Sequence, residues 1–414
     1  MKLLILSQYF PPEVGAPQVR LASVVRELVR AGHCVEVVTA MPSYPIGKIF
    51  PPYRGSLYRQ ESCDSLRIHR VWAYASQGTG LGRMFNYASF ALSSISGLVR
   101  ASKPDCFVVE LPPLTLCIPA ILFAKLWRVP VILNVSDLWP DSALELGIIK
   151  DGLLAGILQG LERWAYQNAD YVCGVTQGIV KTLGSQKGVP ERKLLFLPNG
   201  VDTELLTPQP PDIRLQERLG LVGKNLVVYA GTHSLAHGLD VLLDAAEVMR
   251  NEPNFHFVFV GSGSAKKALV ARAQRSELPN VSFLDSIELA EVTRLYSIAL
   301  CGVVSLCDIP ILKSARPAKT LSIMACGKPV VLAAKCETSV VEDANAGIVV
   351  DNDNPEAIAE AIRRLRNNPE LAAQMGRNGR DYVEHHCRWS VLVDDWLLQL
   401  RLGGIGQSEF VPAA

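Results

Sequence analysis

Short apolar runs alternate with stretches of helical spacing along almost the whole chain, and few folds accept that rhythm. Residues 2–6 (KLLIL) are followed by the loop SQYFPPEVGAP. Val19, Ala22, Val25, Leu28 and Val29 then recur at helical spacing until Gly32 and His33, and CVEVVTA resumes an extended pattern. The unit repeats as DCFVVE, a helix around IPAILFAKLWR, VPVILNV and then DYVCGVT. Strands that read as continuous apolar runs are buried on both faces, and the helices between them provide the cover. The pattern predicts a doubly wound, parallel α/β sheet.

The rhythm stops at TPQPPDIRLQERLG, whose prolines and charges read as a linker. It restarts with NLVVYAG, FHFVFVG, VSFLD, CGVVSL and PVVLAA. A chain of 414 residues is also too long for one core. Two α/β domains are expected, an N-terminal one over 1–203 and a second over 223–387, with a linker over 204–222. A helix over 388–402, directed back towards the N-terminal domain, and a loose tail over 403–414 complete the chain. Ligands of such sheets bind where strands end and helices start, so two facing sheets predict a functional site in an interdomain cleft.

A formal net charge of +1 provides no overall attraction for nucleic acid. Ten cysteines are scattered from Cys34 to Cys387 without a C-x-x-C pair or a Cys/His cluster. That favours buried, reduced thiols over a disulfide framework or a zinc site. The apolar core of MKLLILSQYFPPE is about four residues, below the ~7–15 of a signal peptide. The longest apolar run, residues 114–124, is broken by Pro119 and stops at Lys125, so no spanning helix is expected.

Several stretches have residue types suited to chemistry. In PPEVGAPQVR, Gly15 permits close backbone approach, and the helix start that follows presents free N–H groups to an anion. The spacing is not G-x-G-x-x-G, so an ordinary tight turn explains it as well. In NVSDLWPDSALELG, Asp137 follows an apolar strand and projects to the ligand edge, where a carboxylate accepts a proton or orients a hydroxyl. Helix capping by Asp137, Asp141 or Ser142 is the alternative. YAGTHSLAHGLD is the first βα turn of the second domain; Gly231 allows close approach, and Thr232, His233 and His237 offer donors. Two histidines without a carboxylate or cysteine at ligand spacing do not indicate a metal. In KSARPAKTLSIMACGKPVVLAA, Arg316 and Lys319 flank Pro317 at the start of a helix whose apolar face is Leu321, Met324 and Ala325. Cations at the positive end of a helix are locally unfavourable. A phosphate bonded to the free N–H groups and to both side chains resolves the conflict, and so do side chains turned to solvent.

In this order, these and neighbouring stretches resemble the family 4 glycosyltransferases, which have the GT-B fold of two Rossmann-like domains. The matching segments are FPPEVGAPQVRLASVVRELVRAGHCVEVVT, SDLWPDSALELG, ADYVCGVTQGIVKTL, LPNGVDTELLTP, YAGTHSLAHGLDVLLDAA, PAKTLSIMACGKPVV, ANAGIVVDNDNPEAIAEAIRRL and MGRNGRDYVEHH. The likeness is greatest to bacterial transferases that build surface polysaccharides such as O-antigen. It implies retaining transfer of a hexosyl or N-acetylhexosaminyl group from a nucleotide-diphosphate sugar, UDP- or GDP-linked. Neither metal nor other cofactor is implied, because cationic side chains and helix starts stabilise the leaving diphosphate. By position, the resemblance implies Gly15 near the donor phosphates, Asp137 near the reacting centre, and Lys319 with Arg316 on the diphosphate. Two departures are notable. The family's Arg and Lys in the first loop of the second domain fall on Thr232 and His237. Its acid pair falls on Ser314 and Ser322, so Ser322 gives at most a weaker ribose contact, and Glu337 or Glu342 is a candidate substitute.

The resemblance also implies a saccharide acceptor carried by a polyprenyl diphosphate, and a cytoplasmic enzyme held peripherally at the inner membrane surface. LGRMFNYASFALSSISGLVRASK carries Met84, Ala88, Ala91, Leu92, Ile95, Leu98 and Val99 at helical spacing, with Arg83, Arg100 and Lys103 around them. That pattern suits an interfacial helix and equally a helix packed on the sheet. FAKLWR and the aromatics Tyr44, Phe50 and Tyr53 are other candidates for membrane contact. Two alternatives stay open: a GT-B-fold sugar-nucleotide epimerase, for which Asp137 alone is a poor supply of acid/base groups, and a non-catalytic sugar-nucleotide-binding partner, for which Ser314 and Ser322 argue.

Overall fold

The computed structural model describes residues 1–76, 80–145, 147–336 and 340–405. The chain divides into two compact units: Met1–Pro198 together with the segment from Leu392 onward, and Asn199–Val391.

The first unit holds β1 (Lys2–Leu6), β2 (Cys34–Ala40), β3 (Tyr58–Cys63), β4 (Leu66–Val71), β5 (Cys106–Leu111), β6 (Val131–Val135), β7 (Tyr171–Gly174) and β8 (Leu194–Phe196). They form one sheet in the order β3-β4-β2-β1-β5-β6-β7-β8. Every neighbouring pair is parallel except β3 and β4, which run antiparallel from Tyr58↔Val71 to Cys63↔Leu66. Central strands such as β6 are buried along their length, as a sheet with helices on both faces requires. The edge strand β3 reads YRQESC and is mostly exposed, so it lacks the apolar run that announces its neighbours.

The second unit holds β9 (Asn225–Ala230), β10 (Phe255–Val260), β11 (Val281–Leu284), β12 (Ala299–Ser305), β13 (Val330–Ala333) and β14 (Gly347–Val350). All pair parallel in the order β11-β10-β9-β12-β13-β14. Alternate residues of each strand supply two cores. Leu226, Val228, Val258, Val304 and Leu332 enter one, and Val227, Tyr229, Phe257, Val303 and Val331 enter the other. That is the period-two signature of a strand buried on both sides. Gly302 of β12 lies under the helix Ala318–Ala325, and a Cβ there would collide with Ile323.

Residues 204–222, expected to be a linker, belong to the second unit. Asp212 caps the short helix Ile213–Arg218 by accepting from Leu215 N at 3.0 Å, and it pairs with Arg294 at 2.7 Å. From Leu392 the C-terminal helix Trp389–Leu402 belongs to the first unit. There Gln399 brackets the backbone of Phe196, accepting from its N–H and donating to its carbonyl, both at 2.9 Å. The cysteines are free; Cys34 and Cys63, expected to be buried, are exposed because they lie at the ends of β2 and β3.

Among the described residues no helix is long and apolar enough to cross a membrane. The helix Leu81–Arg100 packs Phe90, Ser94 and Leu98 inward over β2 and β4, and a Cβ on Gly97 would press on Val38 and Val71. Its other face leaves Phe85, Leu92 and Val99 exposed.

Candidate active site

In the second unit, β9 and β10 end side by side, and each opens into a loop built on glycines with positive φ: Gly231 (152°), Gly261 (137°) and Gly263 (152°). Gly231 N donates to Val260 O at 2.9 Å, His233 N to Ser262 O at 2.8 Å, and Ala265 N to His233 O at 2.9 Å. A side chain on Gly261 would strike the Gly231 carbonyl, and one on Gly263 the His233 carbonyl. The two loops therefore meet backbone to backbone, which only glycine allows. Tyr229 Oη donates to Thr232 O at 2.7 Å. Lys266 Nζ latches the far side by donating to the carbonyls of Gly261 and Leu284, both at 2.8 Å, and to Asp285 at 2.9 Å.

The helix Ala318–Ala325 starts after Pro317 with no side-chain cap. From its first turn, Lys319 reaches the glycine loop. Its Nζ lies 2.7 Å from His237 Nε2 and 5.5 Å from the centre of the Tyr229 ring. Its aliphatic stem lies against Gly231, where any Cβ would overlap it. Ser234 Oγ sits 2.7 Å from His237 Nδ1, and Ser305 Oγ donates to His237 O at 2.6 Å. An ammonium only donates, so His237 is neutral, accepts at Nε2, and donates its Nδ1 proton to Ser234. Burial, followed by the charge of Lys319 and by His233, lowers the His237 pKa to about 4. Burial alone brings Lys319 down to about 8, with no acidic group acting on it. A half-buried cation without a counter-ion among the described residues, beside a helix start at the carboxyl end of parallel strands, offers a phosphate both charge and donors.

The other expected donor contacts divide. Thr232 is exposed. His233 is fully buried, with ring centres 5.7 Å from Tyr229, 6.5 Å from Phe259 and 6.3 Å from Phe283. Burial, then the charge of Lys266, lowers its pKa to about 4, and it serves as a core side chain. Arg316 donates from Nη2 to Cys387 Sγ at 2.8 Å, so it has a different partner from Lys319. Ser322 follows Lys319 by one turn and is half-buried. Glu337 lies outside the described residues, and Glu342 is exposed on the helix Val340–Asp343.

In the first unit, Gly15 caps the helix Ala16–Arg30 with extended backbone, and its carbonyl accepts from Val19 N at 3.0 Å. A Cβ on Gly15 would meet Gln18 and the Tyr44 ring. Asp137 lies two residues beyond β6 and accepts from Ser142 Oγ at 2.8 Å. Burial raises its pKa, against the opposing bonds from Ser142 and the Leu138 N–H. Asp141 is occupied differently: it pairs with Lys187 at 2.6 Å, and Lys187 also holds the buried Glu162 at 2.8 Å. Asp137 is thus a partly desolvated carboxyl just beyond the carboxyl end of β6, a kind of environment that recurs at functional sites. Ser234 and Ser305, which fix His237, were not legible in the sequence; only the three-residue step from Ser234 to His237 hints at the first.

Residues 15–200 match the Glycosyl transferase 4-like domain, and residues 213–382 match Glycosyl transferases group 1. WcaI of Escherichia coli (strain K12), whose name assigns it to glycosyl transfer in colanic acid biosynthesis, is 27% identical over 398 residues, 93% of this chain and 96% of its own. Sucrose-phosphate synthase of Thermosynechococcus elongatus superposes with a TM-score of 0.75 at 17% identity, covering 97% of this chain and 98% of its own. Anabaena HepE, solved in complex with UDP, superposes at 0.73 and 17% identity over 97% of this chain and 100% of its own. With one matched domain on each sheet and this architecture, the chain belongs to the family 4 glycosyltransferases and has the GT-B fold.

Proposed function

We propose that the chain is a retaining glycosyltransferase of surface-polysaccharide synthesis. In this reading it moves a hexosyl or N-acetylhexosaminyl group from a UDP- or GDP-linked sugar to a lipid-linked saccharide. Lys319 carries the donor half: it is a desolvated ammonium over the Gly231 loop, hydrogen-bonded among the described residues to neutral His237. When the anomeric carbon–oxygen bond breaks, its electron pair leaves on the diphosphate, and the growing charge falls to Lys319 and the helix start. The acceptor hydroxyl oxygen forms the new bond to the anomeric carbon and gives its proton to the departing phosphate, while Asp137 orients a reacting hydroxyl. Gly15, Thr232, Ser322 and Glu337 are the remaining donor contacts in this reading, with Arg316 supporting from its place beside Cys387. The UDP held by HepE and the polysaccharide named for WcaI support the substrate class.

The membrane half rests on the outer face of the first unit. The neighbouring helices Leu81–Arg100, Cys117–Trp127 and Leu153–Asn168 expose Phe85, Leu92, Leu122, Leu126, Leu153 and Ile157. Arg100, Lys125 and Arg163 are exposed on the same helices, and their one acid, Glu162, is buried. Apolar side chains set among cations without exposed acids suit an anionic lipid surface. The donor half is tested by titrating UDP- and GDP-sugars into the wild type and Lys319→Met, with transfer to a lipid-linked acceptor as the second readout. Binding and transfer by the wild type, both weakened in the variant, are expected. A wild type that binds no nucleotide sugar rules the reading out.

A further inference from the structure

A second cation, without a counter-ion among the described residues, stands at the ligand edge of the first sheet. Arg83, in the first turn of the helix Leu81–Arg100, donates from Nε to Tyr87 Oη at 2.9 Å. Its guanidinium carbon lies 4.9 Å from the centre of the Tyr87 ring and 5.6 Å from that of Tyr9. Tyr44 closes the group, edge-on to Tyr9 at 5.9 Å. Apart from burial, the influences on Arg83 are the tyrosines Tyr9, Tyr87 and Tyr44. Other partly or fully buried arginines of this unit are neutralised: Arg70 by Glu61 at 2.9 Å and Arg20 by Glu110 at 3.4 Å. Glu13, an acid that acts on Tyr9, is taken by the N–H groups of Ser43 and Tyr44 at 2.7 and 2.8 Å, and its cationic neighbour is Arg70.

Two polar groups on neighbouring residues, Gln8 and Tyr9, also lack partners among the described residues. Tyr9 Oη is buried and makes no hydrogen bond to any of them. Gln8, 2% exposed, donates to Asn86 Oδ1 at 2.5 Å and leaves its own Oε1 unpartnered. Asn86 lies three residues along the helix from Arg83. Burying a cation and orphaning polar atoms is costly for the free protein, and a bound oxyanion offsets that cost. Met84 and Phe85, the next residues of the helix, are exposed, Phe85 by 66%. A charged head followed by an apolar chain matches that sequence of surfaces.

We propose that Arg83, held by Tyr87 and flanked by Tyr9, is a phosphoryl-binding subsite on the first unit, and that its ligand is the diphosphate end of an isoprenoid-linked acceptor. This rests on the transferase reading above, but it uses none of the residues of the Lys319 site. The donor's own diphosphate has the same head-group chemistry, so the test separates the two sources.

The full-length protein is titrated calorimetrically with farnesyl diphosphate, a short isoprenoid diphosphate, and separately with UDP and GDP. Arg83→Gln should weaken farnesyl diphosphate binding roughly 10- to 100-fold, the effect of losing charge-assisted hydrogen bonds, and leave nucleotide affinity unchanged. Tyr87→Phe keeps the ring and removes the hydroxyl that orients Nε, so a roughly threefold to tenfold loss is expected, with an unchanged melting temperature. It keeps the proposal testable if Arg83→Gln fails to fold. Lys319→Met should leave farnesyl diphosphate binding as it was, so a failure of the donor reading is visible separately. Equal farnesyl diphosphate affinity in wild type and Arg83 variant overturns the proposal, as does absence of binding to the wild type. So does a loss confined to UDP and GDP, or loss of farnesyl diphosphate binding in Lys319→Met instead.

Discussion

Lys319 Nζ and His237 Nε2 lie 2.7 Å apart across 82 positions of sequence, and the imidazole that meets the ammonium is neutral. The contact satisfies one N–H of the ammonium without cancelling its charge. Replacing Lys319 by Met should therefore separate binding from stability. Donor affinity should fall roughly 10- to 100-fold, while the melting temperature stays or rises because a desolvated charge is gone. Titration calorimetry and thermal unfolding of the same variant measure both.

The burial of Lys319 sets a pH dependence for donor binding. Lys319 loses its proton in the free protein near pH 8, and a diphosphate binds the charged form. Affinity should be full below that pH and fall by about tenfold per unit above it. In Lys319→Met the profile should be flat, and a flat profile in the wild type would remove Lys319 from the diphosphate site.

Acid should destabilise the second unit through its buried histidines. His233 and His237 both titrate near 4 in the folded protein, below the ordinary 6.5, so the unfolded chain binds more protons in between. Their contribution is complete above the ordinary value and is lost as pH falls towards 4, by roughly 1–3 kcal/mol each. His233→Phe keeps the ring contacts with Tyr229 and Phe283 and should remove its share of the loss, read from urea midpoints across that window.

Gly231→Ala tests the close approach of loop and lysine. The backbone there has φ 152°, and the added Cβ would overlap the Lys319 stem. We expect a loss of about 1–3 kcal/mol in stability together with weakened donor binding. Unchanged nucleotide-sugar affinity would show that the Lys319 position is not set by this loop.

Asp137→Asn retains an acceptor for Ser142 Oγ and removes the carboxylate. Transfer should drop by roughly 10²–10⁴-fold, with donor affinity preserved. Transfer at the wild-type rate would leave Asp137 as a loop-fixing residue; a wild type with donor binding and no transfer would indicate a binding partner.

Leu122 and Leu126 are 59% and 73% exposed, so Glu at both positions should leave the melting temperature unchanged. Co-sedimentation with vesicles containing phosphatidylserine should fall at least about tenfold, from lost apolar burial and added repulsion. Equal sedimentation would place the membrane contact elsewhere.

The alternation of strand and helix was determined by the sequence alone, because apolar periodicity is a local property and KLLIL, VPVILNV and NLVVYAG display it without reference to any partner. The glycine loop after β9 and the cations around Pro317 were legible for the same reason, since residue type and spacing suffice to name them. The edge hairpin of β3 and β4 was not, because its exposed strand has no apolar face to announce. Tertiary structure decided which of these candidates meet. Arg316 and Lys319 are alike on paper, yet one binds Cys387, 71 positions on, and the other His237, 82 positions back. His233 and His237 share one loop, yet the first turns into an aromatic core and the second towards the lysine. Such choices depend on β9 lying between β10 and β12, which brings their loops and the helix Ala318–Ala325 to one edge. Contacts of that kind are made between distant segments, so their energies belong to the packed sheet and to no window of sequence.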